Sequence, residues 1–475
     1  DKLLMNKKWI LVFLVTCLLS CKKEHQGTML PVASGVPITV TVDQNHPGNI
    51  IPENFAGLSY ETGILAESPE ILNENNKVLV QLIKNLGPGL LRIGGDSSDE
   101  TEWTGHERTS ATGKDDLTTS DIDRLSAFSR ATGWPVLFGL NLGNNNAGAA
   151  ADEARYAYKA LQNNLYALVL GNEPDVYHLF GLRTPAYGPD NFHGDWETYR
   201  SAIQSLVPRA AFAGPGTAYN TDWITAFAKN ESNNNIKLLD AHYYHTGPAS
   251  DATITHSTLL TSNWKLGNIL HVIRDESAKH QLPYRITESN SVYGGGKAGA
   301  SDVFASALWA LDLMWTIAEN EGRGINFHGG NKLVYSPVTI ENGVLTARPL
   351  YYAMLAFKYG AVGGTMLPVK SDHSQYKCSS YACANTNGSY TVTLINKEEV
   401  TDFAITIQLS KTVSRVKIDR LKAPGVTSKT GIMFAGSVVN ADGEFKPTEG
   451  TQYAINGKSL VINLPAGSAA EVTVQ

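Results

Sequence analysis

The stretch LVLGNEPD (168–175) sets two problems at once. Its first half is a short aliphatic run of the kind that forms a strand buried on both faces. Its second half holds a carboxylate, Glu173, between Asn172 and Pro174. A second stretch, YRITESNS (284–291), repeats the design. There a strand-like run ends in Glu288, flanked by Thr287, Ser289 and Asn290, with Arg285 close by in sequence.

Six further runs of this kind surround the two: FAGLSYET (55–62), LLRIGGDS (90–97), PVLFGLNLG (135–143), AFAGPGTA (211–218), LLDAHYYH (238–245) and GINFHGG (324–330). Helix-like segments separate them. In one, SDVFASALWALDLMWTIAEN (301–320), Ser301 reads as a cap, and Phe304, Leu308, Leu311 and Trp315 recur at helical spacing. Its tryptophans read as core. Strands alternating with helices imply a parallel sheet. Eight such units in about 280 residues suit a (β/α)8 TIM barrel. Functional groups of that fold gather at the C-terminal ends of the strands. Glu61, Asp96, Asn141, Asn172, Glu173, Tyr243 and Glu288 all stand at or near the ends of these runs. On the fourth and seventh strands, Glu173 and Glu288 would face each other across the barrel mouth.

Beyond about residue 348 the pattern changes. SYTVTLINKE, FAITIQL, VSRVKIDRL, SLVINL and AEVTVQ are short alternating runs between Gly, Asn and Pro turns, an antiparallel β-sandwich signature. PITVTVD near the N-terminus alternates in the same way. The expected organisation is a signal at 1–21, a polar tether at 22–36, a strand at 37–45 that joins the sandwich, a catalytic barrel at 46–345 and the β-sandwich at 346–475.

The chain has 475 residues and a net charge of −6. That charge, without a long basic run, argues against a nucleic-acid or polysulfate binder, which needs a broad positive surface. The N-terminus has Lys7 and Lys8 before an apolar run too short to span a bilayer, the form of a secretory signal. Leu18-Leu19-Ser20-Cys21 resembles a bacterial lipobox, which implies a lipid on Cys21 and attachment to the periplasmic face or the cell surface. The alternative is a plain signal with an incidental cysteine. Cys378 and Cys383 are the only pair in the mature chain. In an exported protein they suggest a disulfide, against the alternative of two free thiols.

Two carboxylates across a barrel mouth point to glycoside hydrolysis. A retaining glycosidase sets one carboxyl group to protonate the leaving oxygen and the other to attack the anomeric carbon, about 5–5.5 Å apart. The acid needs burial or a nearby anion to stay protonated, and the nucleophile needs donors to stay ionised. The Asn172 amide is suited to a sugar 2-hydroxyl. A phosphate loop and a metal site fit the sequence less well. GGGKA (294–298) lacks the hydroxyl residue of a phosphate loop, and Ser291 stands where its first glycine belongs. His242 and His245 suit a sugar site better than a metal site.

LRIGGDSSD, GNEPD, HYY, TESNSVYGGG and LVYSP together resemble glycoside hydrolase family 79, of β-glucuronidases and heparanase-type enzymes, over roughly residues 38–475. The resemblance implies Glu173 as acid/base, Glu288 as nucleophile, and Asn172 on the 2-hydroxyl. It implies Tyr243 beside the nucleophile, and Glu61, Asp96 and Tyr219 on sugar hydroxyls. Asp96 departs from the neutral residue of the family pattern. Gly294, Gly295 and Tyr335 match positions that hold a uronate carboxylate. Bare glycine backbone and a tyrosine hydroxyl can bind an anion without a basic surface. The expectation is an exo-β-glucuronidase that acts as a monomer on glucuronic-acid-containing carbohydrate and needs no cofactor or metal. The alternatives are a related enzyme for xylosyl, glucosyl or arabinosyl units, and a non-catalytic carbohydrate-binding surface lipoprotein.

Overall fold

The computed structural model describes residues 30–475, apart from 331, 342 and 449. The expected signal at 1–21, with the lipidation candidate Cys21, lies outside the described residues. No helix among the described residues is long and apolar enough to cross a membrane.

Strand β1 (Val36–Val42) precedes eight parallel strands that close into a barrel: β2 (Gly57–Glu61), β3 (Leu90–Gly94), β4 (Val136–Leu140), β5 (Leu165–Leu170), β6 (Phe212–Thr217), β7 (Ile236–Thr246), β8 (Tyr284–Val292) and β9 (Ile325–Gly329). Closure runs from β9 to β2, with Leu58 opposite Phe327. Each strand falls within, or overlaps, one of the eight expected runs. Strands β3, β4, β6, β8 and β9 are buried along their whole length, which is why they read as apolar runs rather than alternating ones.

Alternation still sorts their side chains. Leu90, Leu137, Ala167, Val169, Ala213 and Leu238 pack together inside the barrel. Their neighbours Leu91, Val136, Leu168, Phe212 and Leu239 face the helices. Two residues beyond Leu90 in the inward row stands Arg92, and beyond Leu238 stand Asp240, His242 and Tyr244. The apolar plug thus carries a polar layer on its C-terminal side.

Helix Phe304–Glu319 starts three residues after Ser301. Ser301 instead accepts from Lys297 N at 2.9 Å and from the Ser291 hydroxyl at 2.9 Å. Trp315 is core, as expected, stacked on Tyr381 at 5.4 Å. Helix Pro349–Gly360 follows β9 and packs on Phe304–Glu319, so the barrel extends past the expected boundary at 345.

The second domain is a nine-stranded sheet assembled from both chain ends. Strand β1 joins it as expected, but runs parallel to the long strand Phe403–Lys422 and antiparallel to Val369–Ser371. The expected Cys378–Cys383 disulfide is absent: both thiols are free and buried. They lie five residues apart on one strand, Cys378–Ala384, so they point to opposite faces and enter different cores. Their Cα atoms are roughly 16 Å apart at the rise of a strand, far beyond the reach of a disulfide.

Candidate active site

The turn after β5 is held from both sides. Gly171 has φ +77°, and a Cβ there would lie 2.1 Å from the Tyr177 hydroxyl oxygen. Glu173 itself is left-handed at φ +51°, a rare conformation for a residue with a side chain. The buried Asp99 carboxylate accepts from Leu142 N and Gly143 N at 2.9 Å, Asn172 N at 2.8 Å and the Tyr177 hydroxyl at 2.7 Å. Asp175 accepts from the backbone N–H groups of Ala218, Tyr219 and Asn220. These two acids fix the turn that aims Glu173 into the barrel mouth, where His242 Nδ1 lies 2.8 Å from Glu173 Oε1.

Glu288 is the buried end of a polar chain. The Arg92 guanidinium donates to Glu288 Oε2, to the Ser59 hydroxyl at 2.9 Å and to Asn172 Oδ1 at 2.7 Å. The Tyr244 hydroxyl donates to Glu288 Oε1 at 2.8 Å. His328 Nδ1 and His242 Nδ1 stand 3.8 and 3.9 Å from Oε2. Arg285, close to Glu288 in sequence, does not reach it: it sits three residues earlier, at the N-terminal end of β8, and donates to backbone carbonyls of Asn54, Phe55, Arg323 and Ile325. One expectation is corrected here. Tyr243 borders the cleft, but it falls in the outward row and its hydroxyl pairs with His245 Nδ1 at 3.1 Å. The tyrosine that reaches Glu288 is its inward neighbour, Tyr244.

A Glu173 oxygen, a Glu288 oxygen and a His242 nitrogen all lie within 4.8 Å of one another. The two carboxyl groups are pushed in opposite directions. Burial, then the charges of Glu288 and Asp175, raise Glu173 well above the usual carboxylate range. Burial would raise Glu288 too, but the charges of His328, His242 and Arg92 and the Tyr244 hydrogen bond outweigh it and hold Glu288 far below that range. Burial also lowers His242, against the opposing pull of the Glu288 and Asp240 charges. The three groups have the spacing of a divalent-cation site. Arg92 already neutralises Glu288, however, and Glu173 favours its protonated form, so the set is suited to a proton donor beside a carboxylate.

A cleft of about 780 Å³ opens over this pair. It is lined by Glu61, Asp96, Tyr219, Gly294, Gly295 and Tyr335, all expected in the site. Glu61 accepts from Ser97 N at 2.9 Å and lies 3.2 Å from His328 Nε2. Burial opposes its ionisation, but the His328 contact and the Ser97 hydroxyl win and hold it below its ordinary value. Gly95 is required beside it, since a Cβ would come within 2.2 Å of Glu61 Oε1. Asn172 Nδ2 donates to Asp96 at 3.0 Å. Asp96 opens onto cleft solvent, yet the enclosing protein and the charges of Glu173, Glu288 and Glu61 raise it to about 7. Gly294 and Gly295 take φ of +82° and +91°, and neither N–H has a partner among the described residues. Gly295 O accepts from Val334 N at 2.7 Å, which ties the glycine loop to Tyr335. The Tyr335 hydroxyl pairs with that of Tyr244. Tyr219 stands exposed at the rim.

Residues 66–314 match the N-terminal domain of glycosyl hydrolase family 79. The chain belongs to glycosyl hydrolase family 79. A β-glucuronidase of Aspergillus niger is 24% identical over 94% of this chain and 94% of its own. Heparanase-like protein 3 of Arabidopsis thaliana is 25% identical over 72% of this chain and 68% of its own. Among solved structures, a 4-O-α-L-rhamnosyl-β-D-glucuronidase from Fusarium oxysporum superposes with a TM-score of 0.73 at 19% identity, covering 92% of this chain and all of that one. A family 51 arabinofuranosidase from Xanthomonas axonopodis superposes at 0.67 and 16% identity, covering 93% of this chain and all of that one. The family 79 chain is thus a glycoside hydrolase on a (β/α)8 barrel with an appended, mostly antiparallel sheet.

Proposed function

We propose that this family 79 hydrolase is a retaining exo-β-glucuronidase. The observation that carries the reading is the carboxyl pair: two oxygens within 4.8 Å, one group driven toward protonation and the other toward ionisation. That separation suits attack by one carboxylate on the anomeric carbon; inversion needs room for a water between the groups. Glu288 attacks the anomeric carbon while Glu173 gives its proton to the departing oxygen. Glu173, now ionised, then takes a proton from the water that releases the sugar. Arg92 and Tyr244 hold Glu288 in place. Arg92 also turns the Asn172 carbonyl inward, leaving its NH₂ group toward Asp96 and a sugar 2-hydroxyl.

The unpaired N–H groups of Gly294 and Gly295 supply donors for a uronate carboxylate, and the Tyr335 hydroxyl joins them by turning its proton from the Tyr244 oxygen to the sugar. The tie from Val334 N to Gly295 O joins two loops at that end of the cleft, which favours a terminal sugar. A panel of aryl β-glycosides tests the reading. The glucuronide should exceed the glucoside by roughly 10²-fold in kcat/KM, since a site built to pair a polar group discriminates strongly against analogues lacking it. A preference for glucoside or xyloside would overturn it. We also propose that Cys21 carries a lipid. Expressed with its signal in a bacterium, the protein should partition with membranes and take up labelled fatty acid, and Cys21→Ser should stop both. An unlabelled, freely soluble wild type would refute the anchor.

A further inference from the structure

One wall of the cleft is unused by this chemistry. Leu179, Phe180, Tyr219 and Trp264 line it with 68, 58, 64 and 77% of their surfaces exposed. Single exposed apolar side chains need no explanation, but four converging on one cleft mark a binding surface. Their places in the chain say what for. Leu179 ends the short helical turn Pro174–Leu179 that begins at Glu173, and Phe180 follows it. Tyr219 follows β6, whose Gly216 carbonyl accepts from Glu173 N at 3.0 Å. Leu179, Phe180 and Tyr219 therefore surround the acid, on the side where a leaving oxygen must sit to receive its proton, and Trp264, at the start of the helix after β7, lines the same cleft. The glycine loop and Tyr335 follow β8 and β9, on another arc of the barrel mouth.

We infer that this wall is a leaving-group subsite for a planar, apolar aglycone. The inference rests on the glucuronidase reading and adds the substrate class: aryl and similar glucuronides rather than glucuronate linked to a second sugar. A sugar there would find polar side chains only at the edge, on Lys265 and Asn268 beside Trp264, while Leu179, Phe180 and Val176 offer its hydroxyls no partner. A flat aromatic group would cover the same side chains and stack on Phe180, Tyr219 or Trp264. In the first step the anomeric C–O bond breaks, the Glu173 proton passes to the aglycone oxygen, and the aglycone leaves as a neutral phenol or alcohol.

The test compares phenyl with 2-naphthyl β-glucuronide, whose leaving groups are similar in acidity but differ in flat apolar area. Naphthyl should exceed phenyl by about tenfold in kcat/KM, through a lower KM. Phe180→Ala and Trp264→Ala should erase that advantage. Tyr158→Ala, on the exposed face of helix Ala147–Leu161, should keep it. Free 2-naphthol should inhibit competitively at lower concentration than free xylose or galactose. Equal rates for the two substrates, an advantage surviving in both variants, or tighter inhibition by the sugars would each overturn the subsite. If no glucuronide is turned over, the glucuronidase reading falls by itself. Titration of 2-naphthol, followed by its own fluorescence, then still decides the subsite: saturable binding weakened by Phe180→Ala supports it, and binding that is absent or unchanged refutes it.

Discussion

Replacing Arg92 with methionine isolates the group on which the site turns. Arg92 is 3% exposed and donates to Glu288, Asn172 and Ser59 from one planar fork. Methionine keeps much of the stem and removes every donor. A hydrogen bond to a charged group contributes about 1.5–3 kcal/mol, and stripping one partner from a buried ion pair costs about 3–5 kcal/mol. Since about 1.4 kcal/mol is tenfold in rate, kcat/KM on an aryl β-glucuronide should fall by about 10²- to 10³-fold. The pH profile separates this from simple misfolding. Glu288 acts ionised, and its ionised fraction is lost as pH falls through its folded pKa. Removing the Arg92 charge raises that pKa, so the acid limb of kcat/KM should move toward neutral pH. Arg92→Lys keeps the charge but not the fork, so it should lose less and leave the acid limb near its wild-type position. Circular dichroism and thermal melting establish that each variant is folded. A folded Arg92→Met with activity within about threefold of wild type and an unmoved acid limb would refute the assignment.

Glu173→Ala should retain the first step for aryl glucuronides with good leaving groups, regain turnover with azide, and lose the basic limb of the pH profile, because Glu173 works protonated and its raised pKa sets that limb; an unchanged basic limb would remove its role. Tyr335→Phe should cost about 10- to 150-fold on glucuronides, from the loss of one hydrogen bond to an anion of about 1.5–3 kcal/mol, and little on glucosides; equal losses would mean that Tyr335 acts by supporting Tyr244. Glu153 lies buried in helix Ala147–Leu161, and burial raises its carboxyl to about 8 from 4.5. It is protonated when folded but ionises when unfolded, so stability should fall as pH rises from about 4.5 toward 8, by about 3 kcal/mol between pH 5 and 7. Glu153→Gln should lessen the fall in melting temperature over that range without removing it, because burial also raises Glu471 to about 8, and a slope equal to wild type would exclude the effect.

The barrel was legible because each strand is a compact apolar run, and a parallel strand covered on both faces has no other way to be stable. Glu173 and Glu288 were legible because a carboxylate at the end of such a run has an obvious solvation cost. The partners that tune them were not. Arg92 and His328 sit inside LLRIGGDS and GINFHGG, and nothing in one run names the run across the barrel that will meet it. A lone arginine in an apolar strand was the available signal for Arg92, but Arg285 gives the same signal and serves backbone carbonyls at the other end. Choosing between Tyr243 and Tyr244 required the phase of β7, and HYYH is polar or aromatic at every position, so no alternation marks it. The cysteine pair failed for the same reason in reverse. An odd spacing on one strand sends side chains to opposite faces, whereas a loop would have let them meet.

The central claim is that Glu288 attacks the anomeric carbon of a β-glucuronide while Glu173 gives up its proton. An activated 2-deoxy-2-fluoro β-glucuronide speeds formation of the glycosyl-enzyme relative to its breakdown, so the intermediate should accumulate. Peptide mass mapping of the inactivated protein should then find one glycosyl adduct, on Glu288, and none in Glu288→Gln. An adduct on another carboxylate, or time-resolved NMR of an ordinary substrate that releases the α-anomer first, would contradict the account.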